Sequence, residues 1–136
     1  MALPNKVCGK SIHQITVYNG SASDIPVGTA LAFDASYPPE TYVAPGVKTT
    51  TGATDVVGFA QGVIKTKQTG SMIVAGVAVA IAGGTITFGT TLNLMTNSSG
   101  QVIAKTATNR GIGAPLSSAT SGNPVLVLIG SGADNA

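Results

Sequence analysis

The chain has 136 residues, a net charge of +2 and a charged fraction of 9%, against about 25% in an ordinary globular domain. Its 43% apolar content is enough for one folded core, which excludes wholesale disorder. The basic residues are scattered with no run interleaved with aromatics, which argues against nucleic-acid binding, and Cys8, the single cysteine, allows neither an internal disulfide nor a thiolate metal cluster.

Met1-Ala2-Leu3-Pro4-Asn5-Lys6 lacks the apolar core of a signal peptide. The longest apolar stretch, residues 72–82, has about half the length that a membrane helix needs. The chain reads as synthesised in a reducing cytoplasm, with no membrane partner. Residues 1–11 show no periodicity and are expected to form an N-terminal arm. Residues 12–18 alternate, with Ile15 and Val17 on one face and Thr16 and Tyr18 on the other, which is strand spacing. Asn19-Gly20 then reads as a tight turn. Residues 25–33 are the next expected strand, with Val27, Leu31 and Phe33 on one face. The prolines of residues 34–55 exclude a regular helix or a central strand, so this stretch is expected to be an elaborated loop, the usual place for binding.

Further strands are expected over 56–64, 73–81, 85–94, 101–105 and 125–129. In 73–81, Val74, Gly76, Ala78 and Ala80 make a small-residue face, which suggests a layer packed close against it. Gly83-Gly84 and Asn97-Ser98-Ser99-Gly100 read as turns, residues 116–120 allow a short helix, and residues 131–136 form a polar tail.

One pattern occurs twice. Ile25-Pro26-Val27-Gly28-Thr29-Ala30-Leu31 returns as Ile86-Thr87-Phe88-Gly89-Thr90-Thr91-Leu92. Gly58-Phe59-Ala60 follows the first copy as Gly111-Ile112-Gly113 follows the second. The fold class is therefore all-β: a compact sandwich or barrel over residues 12–130, made of two pseudo-repeated units of about 12–76 and 77–130.

Little chemistry is left over. His13 is the only histidine and has no acid near it in sequence, so a nucleophilic triad built on it is disfavoured. Cys8 and His13 are too few ligands for zinc. Asp34 and Glu40 share the long loop and read as solvated carboxylates, and no phosphate-loop or calcium-loop pattern is present. No catalytic residue, cofactor or metal is assigned.

The repeated Gly-Thr-x-Leu strand, the Gly-apolar-small element, the alternating stretch of residues 70–81 and the closing strand resemble a family of tailed-phage virion proteins. These are the capsid decoration or cement proteins of the DUF2190 type. The resemblance implies a non-enzymatic homo-oligomer, trimer or dimer, that binds the major capsid protein on the outer surface of the head and stabilises capsomers. The residues expected at interfaces are Lys6, Lys10, His13, Tyr37, Tyr42 and Lys48. The rival reading is a head-fibre or tail-associated module with weak glycan binding through the loop tyrosines. An enzyme using His13 or Asp34 and a tail-tube subunit are further alternatives.

Overall fold

The structure, a computed structural model, describes residues 13–42, 44–106 and 108–130. The expected arm, with Lys6, Cys8 and Lys10, and the expected tail lie outside the described residues. Nine strands follow in chain order: β1 (His13–Asn19), β2 (Ala30–Phe33), β3 (Gly46–Thr49), β4 (Gly58–Ala60), β5 (Thr69–Ile81), β6 (Leu94–Thr96), β7 (Val102–Ala104), β8 (Gly113–Pro115) and β9 (Pro124–Ile129). Frequent Val, Ile and Thr suit a pleated surface and are poor helix formers, and no helix occurs among the described residues. The short helix expected at residues 116–120 is instead a bend at Leu116 and Ser117 followed by an isolated bridge. Ala119 there bridges to Ile86, with backbone bonds of 2.8 and 2.9 Å in the two directions.

Five strands close into a mixed barrel in the order β1-β3-β2-β4-β5, with β1 returning to β5. Only the β1–β3 pairing is parallel. The other four strands continue from β5 in the order β9-β8-β6-β7. They repeat the scheme of the first barrel. Just past β5, Ala82 meets Val102 through a parallel bridge, where Asn19 meets Val47 in the first unit. The chain is thus all-β and built of two repeated units: a closed five-stranded barrel and, with the second half of β5, a second barrel-like unit of four further strands that is joined back to the end of β5 by the Ala82–Val102 bridge alone.

Pairing register fixes which residues correspond. Leu31 faces Gly58 as Leu94 faces Gly113. Phe59 faces Ile73 as Ala114 faces Leu128. The expected correspondence of Leu31 with Leu92 is therefore two residues short. Leu94 is fully buried like Leu31, whereas Leu92 is 75% exposed. The turn itself is common to both units: Gly28 and Gly89 adopt φ of 84° and 85°, a left-handed conformation that glycine enters without a Cβ clash. Beyond it the second copy makes an extra turn, with Thr91 N–H bonding Thr87 at 2.8 Å. Gly58–Ala60 likewise matches Gly113–Pro115 rather than Gly111-Ile112-Gly113.

These turns also break the continuous strands expected over 25–33 and 85–94. Residues 34–55, expected to be loop throughout, contain β3. Pro45 ends just before it, at a position where a missing N–H costs no ladder bond.

β5 has 13 residues and serves both units. Its first half pairs with β1 and β4, its second half with β9. Between them Val74 is left over, because His13 pairs with Ala75 and Gln14 with Ile73. Such a bulge bends the strand and increases its twist. Val17, Ile25, Leu31, Val47, Ala60, Ile64 and Met72 fill the first barrel. A second cluster holds Ile86, Leu94, Val102, Val125 and Val127 with the small face of β5, where Ala78 and Ala80 are buried, and with Ala82 just past it. The large residues opposite, Val77, Val79 and Ile81, are only half-buried. A narrow interior explains this: it is already filled by branched side chains from β6, β7 and β9 and by Ile86.

One polar latch ties the loop between β3 and β4 to the second unit. Asp55 accepts hydrogen bonds from Thr50 Oγ1, from Thr51 N at 3.0 Å and from Thr51 Oγ1 at 2.6 Å. This holds the Gly52 carbonyl where Thr96 Oγ1 of β6 donates to it at 2.7 Å. Desolvation works to raise the Asp55 pKa, but the hydrogen bonds from Thr50, Thr51 and its own backbone prevail and lower it from 3.8 to about 2.

Two outcomes follow from this packing. Leu94→Ala is expected to cost about 2–5 kcal/mol in denaturant unfolding, while Leu92→Ala stays within about 0.5 kcal/mol. For the latch, a depressed carboxylate pKa gives stability that is complete above the unfolded value and lost as the pH falls through the folded one. The difference in melting temperature between the native chain and Asp55→Asn should be at full size above pH 3.8 and close as the pH falls towards 2. Melts across that range check it.

Candidate functional site

All three tyrosines of the chain meet in one place. Tyr18 points outward from β1, since its neighbours Val17 and Asn19 are turned inward and fully buried. Tyr37 and Tyr42 come from the loop between β2 and β3. Tyr18 and Tyr42 stack with ring centroids 5.2 Å apart and planes at 20°. Tyr37 meets Tyr42 edge-on at 5.2 Å and Tyr18 at a tilt at 5.8 Å. Aromatic pairs in such geometries contribute about 0.5–1.5 kcal/mol beyond area burial.

The loop is a chain of turns. Asp34 N–H bonds Gly46 O at 2.7 Å, Tyr37 N–H bonds Asp34 O at 3.1 Å, and Gly46 N–H bonds Tyr37 O at 2.9 Å. Thr41 and Tyr42 N–H both reach Pro38 O at 3.1 Å. Tyr18 N–H bonds Pro45 O at 2.9 Å, which ties the loop to β1.

Asn19-Gly20 is not the tight hairpin turn that its sequence suggests. The Asn19 amide donates to Ser23 O and Ile64 O, each at 2.8 Å, and its Oδ1 accepts from Ser21 N at 3.0 Å. Gly20 serves the aromatic cluster instead: a side chain there would collide with the ring of Tyr37.

Lys67 completes the group. Its Nζ donates to Gly20 O and lies 5.5 Å from the Tyr37 ring centroid. It is the one non-glycine residue with positive φ, 61°, among the described residues. The same turn in the second unit carries Gly122 at φ 87°. An L-residue in this conformation costs about 1 kcal/mol or more, and here it directs the ammonium onto the ring, a cation–π contact of about 0.5–1 kcal/mol at an exposed site.

Beside the rings runs an open apolar groove of about 420 Å³, lined among others by Phe33, Tyr37, Pro38, Pro39 and Pro45, with Asp34 as its one charged residue. Phe33 at the end of β2 is 50% exposed.

Of the expected interface residues, the structure brings Tyr37 and Tyr42 together. His13 and Lys48 lie elsewhere, His13 opposite Ala75 on β5 and Lys48 opposite Ala32 on β2, both exposed. Tyr18, Phe33 and Lys67 are the members that sequence reasoning missed. The outward parity of Tyr18 in its strand was an available signal. Nothing local marks Lys67, because only its left-handed backbone turns it towards the loop. Among the described residues no group of three or more His, Cys, Asp or Glu could hold a metal ion. The site's chemistry is that of a surface that packs.

No family model matches the chain, and no curated protein matches it in sequence. Among solved structures it is similar to the crystal structure of the N base of head fiber gp8.5 in bacteriophage phi29, with a TM-score of 0.62 and 16% identity. The match covers 87% of this chain and 93% of that one. At this identity the likeness is one of architecture: the chain has, over nearly its whole length, the fold of a phage head-fibre base.

Proposed function

We propose that this chain is a non-enzymatic phage structural protein that attaches to the outside of the head, in the manner of a fibre base. The observation that carries the reading is the fold shared with the phi29 head-fibre base over 87% of this chain and 93% of that one. Several features support it. The chain offers packing surfaces rather than a set of catalytic groups, and its surface is poor in charge. Both suit lasting contact with other protein. Many copies engaged at once on a symmetric shell turn modest contacts into firm attachment.

The second reading, a cement that stabilises capsomers, rests on the motifs Gly28-Thr29-x-Leu31 and Gly58-Phe59-Ala60 and their repeats. The fibre-base reading has the whole fold behind it and is preferred. Glycan binding is the weaker companion of that reading. The tyrosine faces are largely turned on one another, which leaves Phe33 as the open aromatic surface of this groove.

Quantitative mass spectrometry of gradient-purified particles from the source should find the chain at a fixed ratio to the major capsid subunit. Its absence from particles would overturn the virion reading. Heads lacking the chain are expected to keep their thermal stability. Heads that burst at lower temperature without it would replace the fibre-base reading by the cement one.

A further inference from the structure

The contact between the two barrels is one-sided: each contributes a different face. The first contributes the Gly28 turn, Ala30, Phe59, Gln61 and Ile73. A Cβ on Gly28 would lie 3.1 Å from Ile81 Cγ1. The Gln61 side chain accepts from Val79 N at 3.3 Å and donates to Val79 O at 3.4 Å. Ala30 N–H bonds Gly100 O at 2.9 Å. Ala30, Phe59 and Ile73 are buried in the cluster of the second barrel, not in that of their own. The second barrel contributes the outer side of β5 around Val79 and Ile81, the end of β6 and the Gly100 turn.

The pairing register shows what stands at the same positions elsewhere. On the second barrel Gly89 stands for Gly28, Ala114 for Phe59, Leu116 for Gln61 and Leu128 for Ile73. Among the described residues no second unit covers this face. A Cβ on Gly89 would meet nothing within 4 Å, Phe88 is 61% exposed and Leu92 75%. Leu116 and Leu126 are 39% and 44% exposed, and Leu116 N–H bonds Leu126 O at 2.7 Å, which makes them neighbours on the same surface. Gln61, in contact with protein, is polar, and its open counterpart Leu116 is apolar. That is the reverse of what a solitary domain needs.

On the first barrel Tyr18 stands for Ile81, since Tyr18 pairs with Thr69 as Ile81 pairs with Pro124. Phe33 stands for Thr96, each facing a core valine, Val47 and Val102. The receiving face thus recurs as the tyrosine cluster and its groove.

We propose that these two open faces are partners, and that copies of this chain associate head to tail. The Phe88–Gly89 turn and Leu116 of one copy seat on the Tyr18, Phe33 and Tyr37 face of the next. The contact continues between molecules the interface that already joins the two barrels within one. A heterologous contact of this kind leaves one unused face of each type at the ends of any open assembly, and a ring closes when the rotation per copy allows it. The proposal stands on the internal geometry and is independent of the virion reading.

Sedimentation velocity on the full chain over a range of concentrations tests it. The native chain should self-associate. Phe88→Ser with Leu116→Gln on one face, or Phe33→Asp on the other, should weaken association by about 30-fold or more, as loss of an interface anchor does. Each variant keeps one good face, so an equimolar mixture of the two should form a one-to-one heterodimer. Circular dichroism melts show which variants are folded. Should Phe88→Ser with Leu116→Gln not fold, Leu92→Ser, at a position 75% exposed, takes its place. A native chain that stays monomeric overturns the proposal. So do folded variants that assemble like the native chain, or folded variants that do not pair when mixed.

Discussion

Everything else in this molecule depends on one strand being shared. β5 carries the closing hydrogen bonds of the first barrel on its first half and the ladder to β9 on its second. At about 3.3 Å per residue, its 13 residues are long enough to run through both barrels. Two units that share a strand need no linker, and the bulge at Val74 falls where β5 passes from the ladder of the first to that of the second. The same strand accounts for the two apolar clusters. Met72 belongs to the first barrel, Ala78 and Ala80 to the second, and Ile73, at the crossover, sits in the core of the neighbour.

A duplicated unit packed one-sidedly cannot treat its two copies alike. Equivalent positions have identical backbone pairing and different surroundings, and the side chains follow the surroundings. Phe59 is fully buried against the second barrel, whereas its counterpart is the small Ala114. Conversely, the Gly100 turn of the second barrel is short because it must dock against Thr29 and Thr49, whose methyls would lie 2.8 and 2.9 Å from a Cβ placed on Gly100. The corresponding connection in the first barrel is not confined by a docked neighbour and has grown into the loop that carries Tyr37 and Tyr42. Elaboration and apolar exposure thus both fall where the tandem ends.

The tyrosine cluster shows how local backbone cost and tertiary gain are balanced. Lys67 occupies a conformation that the second unit gives to Gly122, and Gly20 gives up a side chain so that Tyr37 can lie against it. Both residues are explained by the ring they touch. Removing the loop would leave the left-handed lysine with strain and no compensating contact, a relation characteristic of a constructed surface.

Composition and pattern were enough to determine the class of this protein. The β-branched residues, glycine turns and doubled motif dictate an all-β fold of two similar units, because strand propensity and left-handed glycine turns are local properties of the chain. The pairing of Tyr37 with Tyr42 was legible for the same reason, both lying in one proline-rich loop. Other features were not legible. The Gly-Thr-x-Leu repeat aligns Leu31 with Leu92, and only cross-strand register reveals that Leu94 fills the core. Ile15, Val27 and Phe33 carry the alternation of buried strands yet are exposed, since strand parity marks a face without saying what covers it. Tyr18 and Lys67 join the loop across long stretches of sequence. Which apolar face lies inside and which remains open was decided by barrel closure around β5, a non-local event set by hydrogen-bond pairing between distant segments, on which local sequence carries no information.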